Sequence, residues 1–171
     1  YTAEDEAINI PARLKELAAH LKEETERLGL PMPRFLMEPG RSIVADAGMT
    51  LYTVGSVKRI PGYKQYAAVD GGMTDNPRYA LYQSRYTVYH AHKSGSLERF
   101  DVVGRCCESG DIIQPGVELP GDTCRGDILA VCTTGAYNYS MASNYNRLPR
   151  PAVVMLTPDR IYEAVRRETF A

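Results

Sequence analysis

A mainly β fold, a barrel-like or sandwich-like sheet domain preceded by one helix and one buried strand, is what the order of patterns along these 171 residues predicts. Helical periodicity is confined to the stretch before Gly29, whereas beyond Gly48 the apolar residues come in short β-branched and aromatic runs parted by Gly, Pro, Asn and Asp. No internal repeat or low-complexity tract interrupts this order. The division is therefore a short α/β piece, residues 1–45, and an all-β remainder, residues 46–171.

From Pro11 to Leu28 the apolar residues Leu14, Leu17, Ala18, Leu21 and Leu28 recur at helical spacing, with Pro11 suited to a first turn and Gly29 to a stop. After the breaker "LPMP", the apolar run Arg34–Met37 ends at Glu-Pro-Gly and reads as a buried strand followed by a turn. "MTLYTVGSVKRI", "KQYAAVD", "YTVYHAH", "RFDVVG", "GDILAVC" and "AVVML" are then strand signals in succession. His90 and His92 fall on one face of the third of these. Arg160–Arg167 alternates after a Thr-Pro-Asp turn and predicts a closing hairpin. One helix and one buried strand are a fragment of a layered α/β structure, so the chain is expected to be truncated at its N-terminus.

The composition narrows the partners. Lys and Arg number 20 against 21 Asp and Glu, leaving a formal charge of -1 with no basic stripe for nucleic acid or a membrane surface. No apolar run approaches the ~18 residues of a membrane span, and the expected location is the cytoplasm. Cys106, Cys107, Cys124 and Cys132 show neither paired metal-site spacing nor the density of a disulfide scaffold, and the three histidines are scattered, so no metal is expected. A small molecule or another protein is the expected partner.

Four constellations mix glycine turns with ionisable or aromatic groups. "EPGR", Glu38–Arg41, sets an acid and a base around the Pro39-Gly40 bend at the end of the expected strand, where α/β folds collect ligands. "DGGMTDNPRYALY", Asp70–Tyr82, follows a glycine pair with Arg78 and Tyr82 one helical turn apart on a common face. "CESGD", Cys107–Asp111, puts a thiol beside a carboxylate. "GAYNYSMASNYN", Gly135–Asn146, interleaves tyrosines with small residues. Taken singly, each also suits ordinary structure: a surface ion pair, a loop, a turn with Cys inward and Glu and Asp in water, or aromatic packing.

Together and in this order the four motifs resemble the C-terminal half of the diaminopimelate decarboxylases, pyridoxal-phosphate (PLP) enzymes with an alanine-racemase-like barrel and a β domain. The resemblance covers essentially the whole chain. It implies that the helix-strand piece is the barrel's end and the remainder the β domain of a two-domain enzyme. It implies that Glu38, Pro39, Gly40 and Arg41 border the cofactor, with Glu38 facing the pyridine nitrogen and Arg41 also contacting substrate. Arg78 and Tyr82 would grip the distal carboxylate of meso-diaminopimelate, Glu108 its distal ammonium, and Tyr137 both PLP and substrate. Cys107 would be the proton donor that acts once carbon dioxide has left. The family's Schiff-base lysine has no counterpart here, so this piece alone is expected to be inactive. A homodimer with a shared site is also implied.

Two rivals differ in recognisable features. Ornithine- or arginine-type decarboxylases share "EPGR" and the "GAY" turn, but tend to carry Asp after the Cys and to lack an Arg78 grip. A non-catalytic β-rich binding module would have no use for the full set of acid, thiol and clamps in order.

Overall fold

The computed structural model describes Thr2 and residues 4–170. The chain divides into a compact unit Glu4–Gly40 and a second that takes in the residues from Arg41 onward.

In the first unit, helix α1 (Ile10–Leu28) starts where expected: the Asn9 side chain accepts the Ala12 N–H at 3.1 Å, Pro11 occupies the first turn, and Gly29 closes the helix at φ 65°. No residue of α1 is buried, so its apolar stripe is left uncovered within the unit. Arg34–Met37 is not a strand. It has no ladder partner among the described residues, and Phe35, Leu36 and Met37 are exposed; an extended segment without a neighbour cannot satisfy its backbone groups as a strand does.

The second unit is a six-stranded sheet and a separate hairpin. Its strands are β1 (Met49–Arg59), β2 (Gln65–Val69), β3 (Val88–His90), β4 (Leu97–Val103), β5 (Ile112–Pro120) and β6 (Ile128–Cys132), in the spatial order β3-β6-β1-β2-β4-β5. Helix α2 (Arg78–Tyr82) lies between β2 and β3 in the chain. All pairings in the sheet are antiparallel except β2 with β4. The sheet curls until its edges approach, where the Tyr86 N–H ahead of β3 donates to Gln114 Oε1 of β5 at 2.8 Å. Inside lies a core of Tyr52, Val54, Val69, Phe100, Ile113 and Leu129 with their neighbours, supplied by alternate residues of each strand.

β5 carries no clean sequence signal because Pro115, Gly116 and Pro120 punctuate it. The structure absorbs the first two as an irregularity in the β4–β5 register, with Gly116 at φ 68° and its N–H donating to the buried Asp101 carboxylate at 2.8 Å. His92 does not share a strand face with His90. It lies in a bend, and its N–H and that of Lys93 both donate to His90 Nδ1, so the imidazole turns the chain instead of extending the strand.

The expected hairpin forms as β7 (Val153–Leu156) and β8 (Ile161–Val165). Its base is tied by Glu168, whose carboxylate accepts from Arg150 N at 2.9 Å, Arg150 Nε at 2.6 Å and Asn144 Nδ2 at 2.6 Å. The Arg150 guanidinium, then these N–H donors, lower the Glu168 pKa from 4.5 to about 2. A carboxylate depressed on folding stabilises above its unfolded pKa and loses that contribution as pH falls through the folded one. The melting-temperature gap between wild type and Glu168→Gln is therefore expected to be full at pH 7 and to close between about pH 4.5 and 2. Thermal melts across that range check it; a gap constant with pH refutes it. Among the described residues, no helix is long and apolar enough to cross a membrane.

Candidate active site

Three of the four motifs lie in the second unit, and backbone contacts bring their segments together. After β2 the chain turns at Gly71-Gly72, where Asp75 Oδ1 accepts the Gly72 N–H at 2.9 Å and the Tyr52 hydroxyl donates to the other carboxylate oxygen. Burial, then Asp75, raises the Tyr52 pKa, so the phenol keeps its proton; burial likewise raises Asp75. A Cβ on Gly71 would sit 2.2 Å from the Tyr52 ring, which is why this turn takes glycine.

The turn delivers α2, and Arg78 and Tyr82 share a face as their spacing predicts. The Arg78 guanidinium stands 4.4 Å from the Tyr82 ring centroid and 5.5 Å from that of Tyr137, with an N–H directed at Met141 Sδ at 3.7 Å. Its Nε is buried without an acceptor. Arg41 approaches the same Tyr137 ring at 5.5 Å. Two guanidinium groups thus approach one tyrosine ring, and among the described residues no carboxylate pairs with either. A guanidinium without a carboxylate partner suits a carboxylate or phosphate oxygen, which its planar fork can bind with two hydrogen bonds.

Tyr137 is held at φ 66° and Thr133 at 61° by the docking of the "GAY" turn. Thr134 N donates to Gly48 O and Gly135 N to Ala45 O, both at 3.0 Å, so the two backbones lie in contact. A Cβ on Gly135 would fall 2.0 Å from Val44 O. Gly135→Ala is expected to cost about 2–3 kcal/mol, since backbone must move, whereas Gly110→Ala, with nothing within 4 Å, should stay within about 0.5 kcal/mol. Urea denaturation midpoints decide; equal midpoints would remove the close-approach argument.

The loop Arg105–Asp111 is where the ordinary-turn reading divides. Cys106 is buried at 1% exposure and Asp111 at 4%, whereas Cys107 and Glu108 are exposed. Asp111 therefore does not face water. Its carboxylate accepts the Met73 and Cys106 N–H groups, each at 2.6 Å, and so fastens the Cys loop to the segment leading to Arg78. Burial, then Asp111, raises the Cys106 pKa, keeping that thiol protonated. Cys107 projects from a left-handed backbone at φ 53°. Glu108 Oε1 accepts from Ser109 N at 2.9 Å and Ser109 Oγ at 3.1 Å.

Of the residues singled out by motif, Arg41, Arg78, Tyr82 and Tyr137 form one cluster. Cys107 and Glu108 sit on the neighbouring loop and share no hydrogen bond with that cluster. Glu38, Pro39 and Gly40 belong to the first unit, where all three are exposed. The sequence reading missed Tyr52, Asp75 and the inward orientation of Asp111, because a buried carboxylate and a solvated one look alike as letters.

Known proteins resemble this chain in sequence and fold. The chain is 48% identical to the diaminopimelate decarboxylase of Bacillus subtilis (strain 168) over 99% of its length and 39% of that protein's. Its structure resembles that of diaminopimelate decarboxylase from M. jannaschii in co-complex with L-lysine, with a TM-score of 0.87 at 31% identity, covering 97% of this chain and 38% of that one. The Helicobacter pylori diaminopimelate decarboxylase complexed with L-lysine gives 0.81 at 33% identity, covering 98% of this chain and 39% of that one. The chain thus spans about two-fifths of the length of the relatives it matches. A model of the pyridoxal-dependent decarboxylase C-terminal sheet domain matches residues 16–135, and the chain belongs to that family.

Proposed function

We propose that the chain is the C-terminal part of a cytoplasmic PLP-dependent lyase that converts meso-diaminopimelate to L-lysine and carbon dioxide, the last step of lysine biosynthesis. The observation that carries the reading is the identity shared along nearly the whole chain with diaminopimelate decarboxylases. Residues 1–45 are the end of the PLP-binding α/β barrel and 46–171 its C-terminal β domain. The enzyme is a homodimer with a shared active site and binds neither nucleic acid nor membrane.

The residues present fit PLP and a dicarboxylate substrate in kind. Two guanidinium groups lack carboxylate partners and Arg78 Nε lacks an acceptor, so both suit phosphate or carboxylate oxygens. By the likeness to the diaminopimelate decarboxylases, Glu38, Pro39, Gly40 and Arg41 would border PLP, Glu38 offering its carboxylate to the pyridine nitrogen. Lys15 and Lys22 lie on α1 and Lys58 on β1, while Lys64 and Lys93 are engaged by Asp101 and Asp127. No lysine stands in the Arg78–Tyr137 cluster, which leaves the covalent anchor to the rest of the enzyme.

Bound PLP supplies the electron sink that lets the carboxylate leave. The chain's own residues do the remainder. Arg78, stacked on Tyr82, holds the distal carboxylate with a planar fork, and Glu108 accepts from the distal ammonium. Tyr137 would contact substrate and cofactor, its ring 5.5 Å from the Arg41 guanidinium. Cys107 donates its S–H proton to the α-carbon after carbon dioxide departs, leaving a thiolate.

Assay of the complete enzyme with PLP tests the reading. Carbon dioxide and L-lysine are expected from meso-diaminopimelate, with kcat/KM for ornithine or arginine lower by about 10²-fold or more, because a site built for a distal carboxylate is left unpaired by substrates lacking one. The 171-residue chain alone should release none. Comparable kcat/KM for ornithine would shift the assignment to the ornithine- or arginine-type decarboxylases, and no carbon dioxide from any of them would leave a non-catalytic binding module.

A further inference from the structure

We propose that Asp111 and Asn146 are positioning residues that clamp the two peptide groups of Cys106 and thereby aim the adjacent Cys107 thiol. The inference rests on the reading of Cys107 as proton donor and deepens it. The Cys106 N–H donates to Asp111 Oδ2 at 2.6 Å, and its carbonyl accepts from Asn146 Nδ2, also at 2.6 Å. Both polar backbone groups of one residue are thus held by side chains from two different segments. Held on both sides, this residue's peptide groups have little freedom to rotate.

The Asp111 carboxylate has little freedom to drift. A Cβ on Gly72 would lie 2.5 Å, and one on Gly104 2.2 Å, from Asp111 Oδ1, so both glycines are the space in which the carboxylate sits. That oxygen also takes the Met73 N–H at 2.6 Å, which ties the loop to the turn before α2. Asn146 occupies a left-handed backbone at φ 54°, followed by Arg147 at 59°, a paired turn that presents its amide to the Cys106 carbonyl.

The geometry at Cys107 depends on this. Cys106 is buried at 1% exposure, and the very next residue is exposed at φ 53°. A non-glycine residue stays in that region only where its surroundings over-determine the backbone. The carbonyl that Asn146 holds belongs to the Cys106–Cys107 peptide, so the clamp fixes the plane from which Cys107 projects. A proton donor misdirected by an ångström loses rate without losing substrate affinity.

The test compares the complete enzyme with Asp111→Asn, Asn146→Gly and Asn146→Asp. Asp111→Asn is isosteric but opposes one N–H with another. Asn146→Gly suits the left-handed backbone and removes only the bond, while Asn146→Asp sets an acceptor against the carbonyl. Native alkylation with iodoacetamide, mapped by peptide mass, is expected to label Cys107 and spare Cys106 in wild type. In the variants, Cys106 labelling should rise by about tenfold or more relative to Cys107 as the loop opens. On meso-diaminopimelate, kcat should fall about tenfold or more with KM within about threefold, Asn146→Asp being worse than Asn146→Gly.

An unchanged labelling pattern, or a lowered melting temperature with unchanged kcat, overturns the clamp. The labelling needs no substrate, so the two readings separate. If wild type fails to decarboxylate while Cys106 opens in the variants, the clamp stands and the substrate assignment falls; if wild type decarboxylates and Cys106 stays closed, the reverse holds.

Discussion

In the complete enzyme, Cys107→Ala is expected to lower kcat on meso-diaminopimelate by about 10²–10⁴-fold, the range for losing a positioned proton donor, with KM nearly unchanged. The expectation follows from the split between the two adjacent thiols. Cys106 is buried, and burial and Asp111 keep it protonated and enclosed, whereas Cys107 is exposed at a left-handed turn. Only the second can reach a substrate. The same variant tests the shared site: mixed with a full-length variant lacking the PLP lysine, it should form heterodimers in which one site carries both defects and the other none. Random re-pairing of equal amounts makes half the dimers mixed, so activity should recover to roughly a quarter of wild type. No recovery despite verified subunit exchange would place Cys107 beside its own chain's cofactor, and an unchanged kcat for Cys107→Ala would end its role as donor.

Arg78→Ala is expected to lower kcat/KM for meso-diaminopimelate by about 2–4 kcal/mol, chiefly through KM, the scale for stranding a charged substrate group without its partner. The structure sharpens this beyond the residue's identity. The guanidinium is stacked 4.4 Å from Tyr82 and 5.5 Å from Tyr137, and its buried Nε has no acceptor among the described residues. On the proposed reading, that geometry suits the distal carboxylate of the substrate. Arg78→Lys should recover only part of the loss, because an ammonium restores charge but neither the planar fork nor the stack. Steady-state kinetics beside a thermal melt decide it; unchanged kinetics in a folded Arg78→Ala enzyme would remove the distal-carboxylate grip.

Much of the fold was legible because local rules and tertiary structure agreed. The Asn9 cap, Pro11 and Gly29 bracket α1, and strands from Met49, Gln65, Leu97, Ile128 and Val153 fall where β-branched runs meet turn residues. The closing hairpin was readable from its alternation. Where the two levels disagree, the reading failed in a consistent way. Arg34–Met37 has the composition of a buried strand, but a strand exists only with a partner, and nothing local reveals whether one is present. β5 has the opposite fault, since Pro115 and Gly116 break its pattern while Asp101, 15 residues earlier, repairs the backbone.

The sequence by itself determined the chemistry available: which residues could carry a proton, grip a carboxylate or turn a backbone, and in what order, because these are properties of residue types and short spacings. Tertiary structure alone decided which of them act together. That Arg41 and Arg78 meet at one tyrosine, that Cys106 turns in and Cys107 out, and that Asp111 is a buried clamp and not a solvated turn residue all depend on contacts between segments tens of residues apart. Burial is a collective property of the folded sheet; the same carboxylate is water's neighbour or a backbone anchor according to what packs over it.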